Sequence, residues 1–85
     1  MARGTVRYWA AAREAAGVDE ETFEANTLGD LVAKITQNHG KSDLPRILGR
    51  SSFLVDGHPA GTRDPSTVEL PEGATVEVLP PFAGG

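Results

Sequence analysis

Apolar and polar residues alternate along three segments of the chain, and each alternation predicts a β-strand. Residues 5–10 are β-branched and aromatic, with one arginine interposed. Residues 20–25 place Phe23 between acidic neighbours, and residues 74–79 alternate valine with polar side chains. A period of two, with β-branched and aromatic residues, is typical of strands. Because only Phe23 is large and apolar in its segment, we expect residues 20–25 to form an edge strand with one solvated face.

A period of three to four replaces this alternation in the middle of the chain. Thr27 precedes four apolar residues spaced i, i+3, i+4 and i+7, and Asp30 follows Thr27 by three positions, as in a short capping box. The apolar residues are Leu28, Leu31, Val32 and Ile35. The pattern predicts an amphipathic helix that ends near His39. We expect His39 to interact with the helix dipole rather than to bind a metal.

Four shorter segments complete the pattern. Residues 11–17, "AAREAAG", predict a short helical turn between strands that ends at a glycine. Pro45 can start a second helical turn that buries Ile47 and Leu48. Residues 52–60 predict two short strands around an Asp-Gly turn, and residues 67–70, "TVEL", predict a further strand.

The order of these elements predicts the fold class. Two strands, one main helix and then further short strands fit an α+β domain in which the helix packs across a mixed sheet of four to five strands. The first and last strands then lie side by side in the middle of the sheet. This is a β-grasp, or ubiquitin-like, roll. We expect residues 1–79 to form this single domain and residues 80–85 to form an extended tail.

Composition narrows the possible functions. The 85 residues include no cysteine, so the chain has no disulfide framework, thiolate nucleophile or sulfur ligand for a metal. Its net charge of −4 gives no electrostatic footprint for nucleic acid, and no apolar run has the length of a membrane span. We expect a cytoplasmic protein without a nucleic-acid, membrane or metal site.

The last six residues, "PPFAGG", carry the candidate chemistry. Two prolines end a strand and stiffen the chain, and the six residues could reach roughly 20 Å when extended. Phe82 is suited to anchor in a pocket, and glycines fit a channel too narrow for side chains. We therefore expect a partner's channel to enclose the whole tail: Pro80, Pro81, Phe82, Ala83, Gly84 and Gly85.

A terminal carboxylate at Gly85 would react with nucleophiles only after activation. Conversion to an acyl adenylate by ATP supplies a leaving group, and a sulfur nucleophile can then produce a thiocarboxylate or thioester. The tail has no acid, base or metal ligand of its own, so partners must supply catalysis. Two other interpretations remain: a protein modifier whose end joins lysines, and an interaction domain with an inert tail.

The segments "VRYWAAAREAAG" and "VEVLPPFAGG" resemble the family of ubiquitin-like sulfur carriers that includes the small subunit of molybdopterin synthase and the thiamine sulfur carrier. The resemblance implies that Gly85 carries a thiocarboxylate, as 1-thioglycine, and that the chain is not catalytic alone. It implies three partners: an E1-like adenylyltransferase that uses ATP, a sulfurtransferase as sulfur source, and a large synthase subunit in a heterotetramer. Thiamine, cysteine or tRNA thiolation are the alternative destinations of the sulfur.

Two residues near the first strand are further candidates for partner contact. Arg13 lies in the segment that resembles the family, yet an exposed charge beside Glu14 is also typical of solvated surface. Trp9 fits either the core or an interface on the exposed sheet face, and periodicity does not separate these two positions.

Overall fold

The computed structural model describes residues 1–81. This part of the chain contains five strands and three α-helices, and a single 3-10 turn, Pro65–Thr67, precedes the last strand. The elements in chain order are β1 (Ala2–Tyr8), α1 (Ala10–Ala16), β2 (Glu20–Ala25), α2 (Leu28–Asn38), α3 (Leu44–Leu48), β3 (Ser52–Val55), β4 (His58–Pro59) and β5 (Thr75–Leu79).

The strands form one mixed sheet in the order β2-β1-β5-β3-β4. β1 and β5 are parallel neighbours near its centre, with Val6 opposite Val76 and Tyr8 opposite Val78, and all the other pairs are antiparallel. These four side chains are almost completely buried. The structure therefore confirms the predicted sheet, its central pair and the edge position of β2.

β1 differs from the prediction at both ends. It begins at Ala2 because its first residues pair with β2, where Ala2 lies opposite Ala25. It ends at Tyr8 because Trp9 is the N-cap of α1 and Ala10 has a φ of 48°, which turns the chain out of the sheet. The helical turn expected after this strand is α1, which ends at Gly17 with a φ of 78°.

α2 confirms the prediction from helical periodicity. Leu28, Leu31 and Ile35 are buried under the sheet, and the Thr27 hydroxyl accepts a hydrogen bond of 3.1 Å from the Asp30 backbone N–H. Such an N-cap bond satisfies one of the free N–H groups of the first helical turn.

The strand predicted at residues 67–70 is reduced to a single antiparallel β-bridge between Glu69 and Thr27. Two hydrogen bonds make this bridge: Leu28 N–H donates to the Val68 carbonyl, and Leu70 N–H donates to the Asn26 carbonyl. Val68 and Leu70 are buried and Glu69 is exposed. The alternation therefore reflects which side chains face the core, while prolines on both sides prevent a continuous ladder.

Of the two residues expected to be buried in α3, Leu48 is confirmed and Ile47 is not. Leu44 and Leu48 are buried, whereas Ile47 is only partly buried. The helix begins at Leu44, one residue before Pro45, so its inward face is shifted. Ile47 consequently borders the surface.

A partly buried polar cluster joins α2 to the inner face of the sheet. The Tyr8 hydroxyl donates to Glu21 Oε2 at 2.7 Å, and His39 Nε2 lies 2.8 Å from the same oxygen. Burial raises the pKa of the Tyr8 hydroxyl, and the hydrogen bond and charge of Glu21 raise it further. His39 is the C-cap of α2, at the helix end where the sequence placed it. The carboxylate partner of its ring was not predicted from the sequence.

Gly4 tests the close contact between β1 and its neighbours. A Cβ at this position would overlap the Ala74 carbonyl oxygen and lie 2.7 Å from Cζ of Phe23. Because a backbone oxygen of the central strand pair cannot yield easily, we expect Gly4→Ala to lower the free energy of unfolding by about 3 kcal/mol. Gly49→Ala is the matched control, since its Cβ would lie an ordinary 3.5 Å from the Arg46 carbonyl oxygen. Equal stabilities of the two variants in urea would contradict this packing.

Candidate functional site

The tail begins at the end of a strand in the interior of the sheet. β5 ends at Leu79, as predicted, and its neighbour β1 ends at the same edge, where Trp9 N–H donates to the Val78 carbonyl at 3.3 Å. Pro80 is buried and Pro81 is exposed, so the chain reaches the surface at the second proline. The root of the tail, Leu79 and Pro80, therefore belongs to the sheet or directly follows it, and no loop separates the tail from β5.

The remaining tail residues lie outside the described part of the chain. They are Phe82, Ala83, Gly84 and Gly85. Their expected roles as anchor, channel residues and reactive end stay predictions.

Trp9 is on the surface beside this root, which answers the question that the sequence left open. The residue is 39% exposed, and its indole N–H donates to Glu77 Oε1 at 3.1 Å. The Arg7 guanidinium lies over the ring, 5.1 Å from the centroid, at a distance typical of a cation–π contact. These contacts fix the indole on the outer face of the sheet, opposite to α2.

The outer face of the sheet carries exposed ion pairs that a partner could displace. Arg7 Nε lies 3.6 Å from Glu20 Oε1, and Arg3 Nε lies 3.9 Å from Glu24 Oε2. Exposed pairs of this kind contribute little to stability. Their side chains can therefore exchange partners at small cost, and Trp9 is the large apolar group among them.

Arg13 projects from α1 into solvent. Its Nε lies 3.8 Å from Asp19 Oδ1, and the side chain is 56% exposed. The arginine is thus accessible, and its contact with a partner stays a prediction.

Sequence reasoning missed a groove next to the two prolines. Ala11 and Ala15 of α1 and Ile47 of α3 border it, together with Pro80 and Pro81. The residues come from three separated segments, so no local pattern predicted that they would meet. The spacing i, i+4 of the two alanines was the one available signal.

Residues 1–81 show neither a metal-binding cluster nor a membrane-spanning helix. Among these residues no three His, Cys, Asp or Glu side chains are placed to share a metal ion. None of the helices described there has the length and apolar character required to cross a bilayer.

Comparison with known proteins identifies the family. A model of the ThiS family matches residues 6–85, which is nearly the whole chain. This chain belongs to the ThiS family. A curated relative is the "Molybdopterin synthase sulfur carrier subunit" of Chlamydomonas reinhardtii, which is 34% identical over an alignment of 84 residues; the match covers 94% of this chain and 95% of the relative.

Solved structures confirm the β-grasp fold of this ThiS-family chain. Small archaeal modifier protein 1 from Methanosarcina acetivorans superposes with a TM-score of 0.85 over 100% of this chain and 98% of its own, at 22% identity. A complex of subunits 1 and 2 of molybdopterin-converting factor from Helicobacter pylori contains a chain that is 25% identical, with a TM-score of 0.71 and coverage of 98% and 99%. The resemblance to sulfur carriers drawn from the two sequence segments is thereby confirmed.

Trp9 and Tyr8 offer a test of the outer face of this ThiS-family fold. Tyr8 is 2% exposed, and its replacement by Ala should lower the free energy of unfolding by about 3 to 5 kcal/mol, as for other buried aromatic residues. Trp9→Ala should lower the free energy of unfolding by much less than Tyr8→Ala. Much of the indole is already in water, and its removal leaves a solvent-filled depression on the surface instead of a buried cavity. Urea unfolding of both variants measures the difference. An equal loss would show that Trp9 belongs to the core.

Proposed function

We propose that this chain is the sulfur-carrying small subunit of a molybdopterin synthase. The observation that carries the proposal is the 34% identity, over almost the full length of both chains, to a molybdopterin synthase sulfur carrier subunit. The family match that extends to Gly85 supports it, because it includes the tail.

The reactive atom of the proposed carrier is the carboxyl carbon of Gly85. A carboxylate oxygen attacks the α-phosphorus of ATP on an E1-like adenylyltransferase, and pyrophosphate leaves. The outer sulfur of a persulfide on a sulfurtransferase then displaces AMP from the acyl carbon and forms an acyl disulfide. A second thiol attacks the sulfurtransferase sulfur of this S–S bond, forms a new disulfide and releases the acyl sulfur. The product is a thiocarboxylate, or 1-thioglycine, whose sulfur is later given to a pterin precursor. Because this chain has no cysteine, the sulfur must come from another molecule.

The fold supports this role by fixing the base of the tail. β5 lies between β1 and β3, so hydrogen bonds on both sides hold the strand that leads into Pro80 and Pro81. Proline at both positions restricts φ and narrows the directions in which the tail can leave. A rigid base reduces the conformational entropy lost when a partner receives the tail.

The proposed partner is a large synthase subunit that encloses residues 82–85. The Helicobacter pylori structure shows a related subunit 1 in complex with a subunit 2, which supports such an assembly here. Phe82 would anchor in the partner, Ala83 and Gly84 would line its channel, and the catalytic side chains would belong to the partner. Trp9 lies next to the base of the tail, where its backbone N–H donates to the Val78 carbonyl, and Arg13 is exposed on α1; both would contact the partner.

One added residue tests whether the end of the chain is the reacting group. Placing an alanine after Gly85 buries the proposed acyl carbon in a peptide bond, so we expect sulfur transfer to fall to background while the melting temperature is unchanged. The matched control has one alanine inserted after Met1, at the other end of the chain. Formation of molybdopterin is measured with the activating enzyme, a sulfur source, ATP and a large subunit. Full activity of the C-terminally extended protein would exclude the proposed chemistry.

A further inference from the structure

Trp9 is the single tryptophan of the chain, and its backbone is fixed on both sides. Its N–H donates to the Val78 carbonyl at 3.3 Å, and its carbonyl oxygen accepts from the N–H groups of Ala12 and Arg13 at 3.0 and 3.3 Å. The residue therefore prolongs the ladder between β1 and β5 and caps α1 at the same time. Its φ of −119° and ψ of 151° are those of a strand, so its side chain stays on the outer face with that of Arg7, two positions earlier.

Two charged side chains hold the indole from neighbouring strands. Arg7 of β1 and Glu77 of β5 lie directly opposite each other in the parallel register. The Arg7 guanidinium lies over the ring, 5.1 Å from its centroid, and Glu77 Oε1 accepts a hydrogen bond of 3.1 Å from the indole N–H. One contact holds the ring at its face and the other at its edge, so together they favour one orientation of the indole.

The hydrogen bond to Glu77 is needed most when the ring is covered. An indole N–H that leaves water without an acceptor costs free energy, so buried tryptophans usually have a hydrogen-bond partner. Here the acceptor belongs to the chain itself. A protein that covers Trp9 must therefore offer an apolar surface for the ring, but it does not have to offer an acceptor for the N–H.

The charges beside the ring are of both signs. Arg7 is positive, whereas Glu77 and Glu20 are negative, and Glu20 Oε1 lies 3.6 Å from Arg7 Nε. A partner therefore meets cations and anions together around Trp9. The apolar ring, and not a charge of one sign, is what distinguishes this part of the outer face.

We propose that Glu77 is a positioning residue, which holds Trp9 as a preformed anchor for the large synthase subunit. The proposal rests on the proposed function, because that function supplies the partner that Trp9 contacts. Glu77 acts through the indole. Ordering a mobile side chain at an interface costs conformational entropy, which corresponds to roughly a two- to tenfold change in Kd. An indole that is already ordered in the free chain avoids this cost.

The single tryptophan allows its orientation to be measured directly in the full-length chain. The indole N–H gives its own signal in NMR spectra of the isotope-labelled protein, and the anisotropy of tryptophan fluorescence reports the mobility of the ring. Glu77→Ala removes the acceptor, so we expect the indole proton signal to move upfield and the anisotropy to fall. Glu77→Gln keeps a carbonyl oxygen as acceptor and should retain most of both.

The same variants test whether the orientation matters to the partner. We expect Glu77→Ala to raise the Kd for the large subunit by roughly two- to tenfold, and Glu77→Gln to restore most of the affinity. Each variant is measured well below its melting temperature, so that loss of the fold does not contribute.

Glu24→Ala is the matched control. It removes the same charge from the same face of the sheet, but Glu24 lies opposite Arg3, at the end of β1 that is far from Trp9. We expect this variant to leave both the indole signal and the Kd unchanged.

Two results would overturn the inference. Equal indole signals and anisotropies in the wild type and in Glu77→Ala would show that Glu77 does not hold the ring. A mobile indole with an unchanged Kd would show that docking does not use its orientation. Both results leave the proposed sulfur transfer to its own experiment. A wild-type chain that does not bind the large subunit at all would instead contradict the proposed function, and the docking step with it.

Discussion

The parallel pairing of β1 with β5 is the interaction on which the rest of the structure depends. These strands come from the two ends of the chain, and their inward-facing residues supply the centre of the core: Val6, Tyr8, Val76 and Val78. The pairing continues from Thr5 N–H, which donates to the Ala74 carbonyl, to Trp9 N–H, which donates to the Val78 carbonyl. Since parallel strands end at the same edge, this pairing also places Trp9, the start of α1 and the root of the tail together.

In this arrangement, the residues that stabilise the fold are different from the residues that carry the proposed reaction. The sheet and α2 bury the apolar residues of the folded body, as expected for a small chain with little apolar surface to spare. The proposed reaction takes place at the carboxyl carbon of Gly85, in the tail that follows β5. Changes to the tail should therefore affect sulfur transfer without unfolding the protein. Changes to the central strand pair should do the reverse.

Local patterns were sufficient to predict most elements of the fold. The i, i+3, i+4 spacing on α2 and the alternation on β5 follow from side-chain burial along a single element, so the sequence alone reveals them. The segment at residues 67–70 also alternates, but flanking prolines limit its pairing, and the predicted strand is reduced to one β-bridge between Glu69 and Thr27. The early start of β1 depends on pairing with β2, which is distant along the chain.

Some features of the candidate site could be predicted from the sequence, and others could not. The unusual composition of the tail and its position after a strand made residues 80–85 a candidate from sequence alone. The exposure of Trp9 depends on which side of the sheet α2 covers, and periodicity within β1 does not contain that information. The groove beside Pro80 requires α1, α3 and the tail to meet, so only the assembled fold reveals it.

The most direct measurement of the central claim is high-resolution mass spectrometry of the C-terminal peptide. The protein is first incubated with ATP, an activating enzyme and a sulfur source. The peptide must be isolated because exchange of oxygen for sulfur adds nearly the same mass as oxidation of Met1. The account predicts a mass increase confined to Gly85 that requires ATP. An unmodified C-terminal peptide, obtained with an activating enzyme that is active on another carrier, would contradict it.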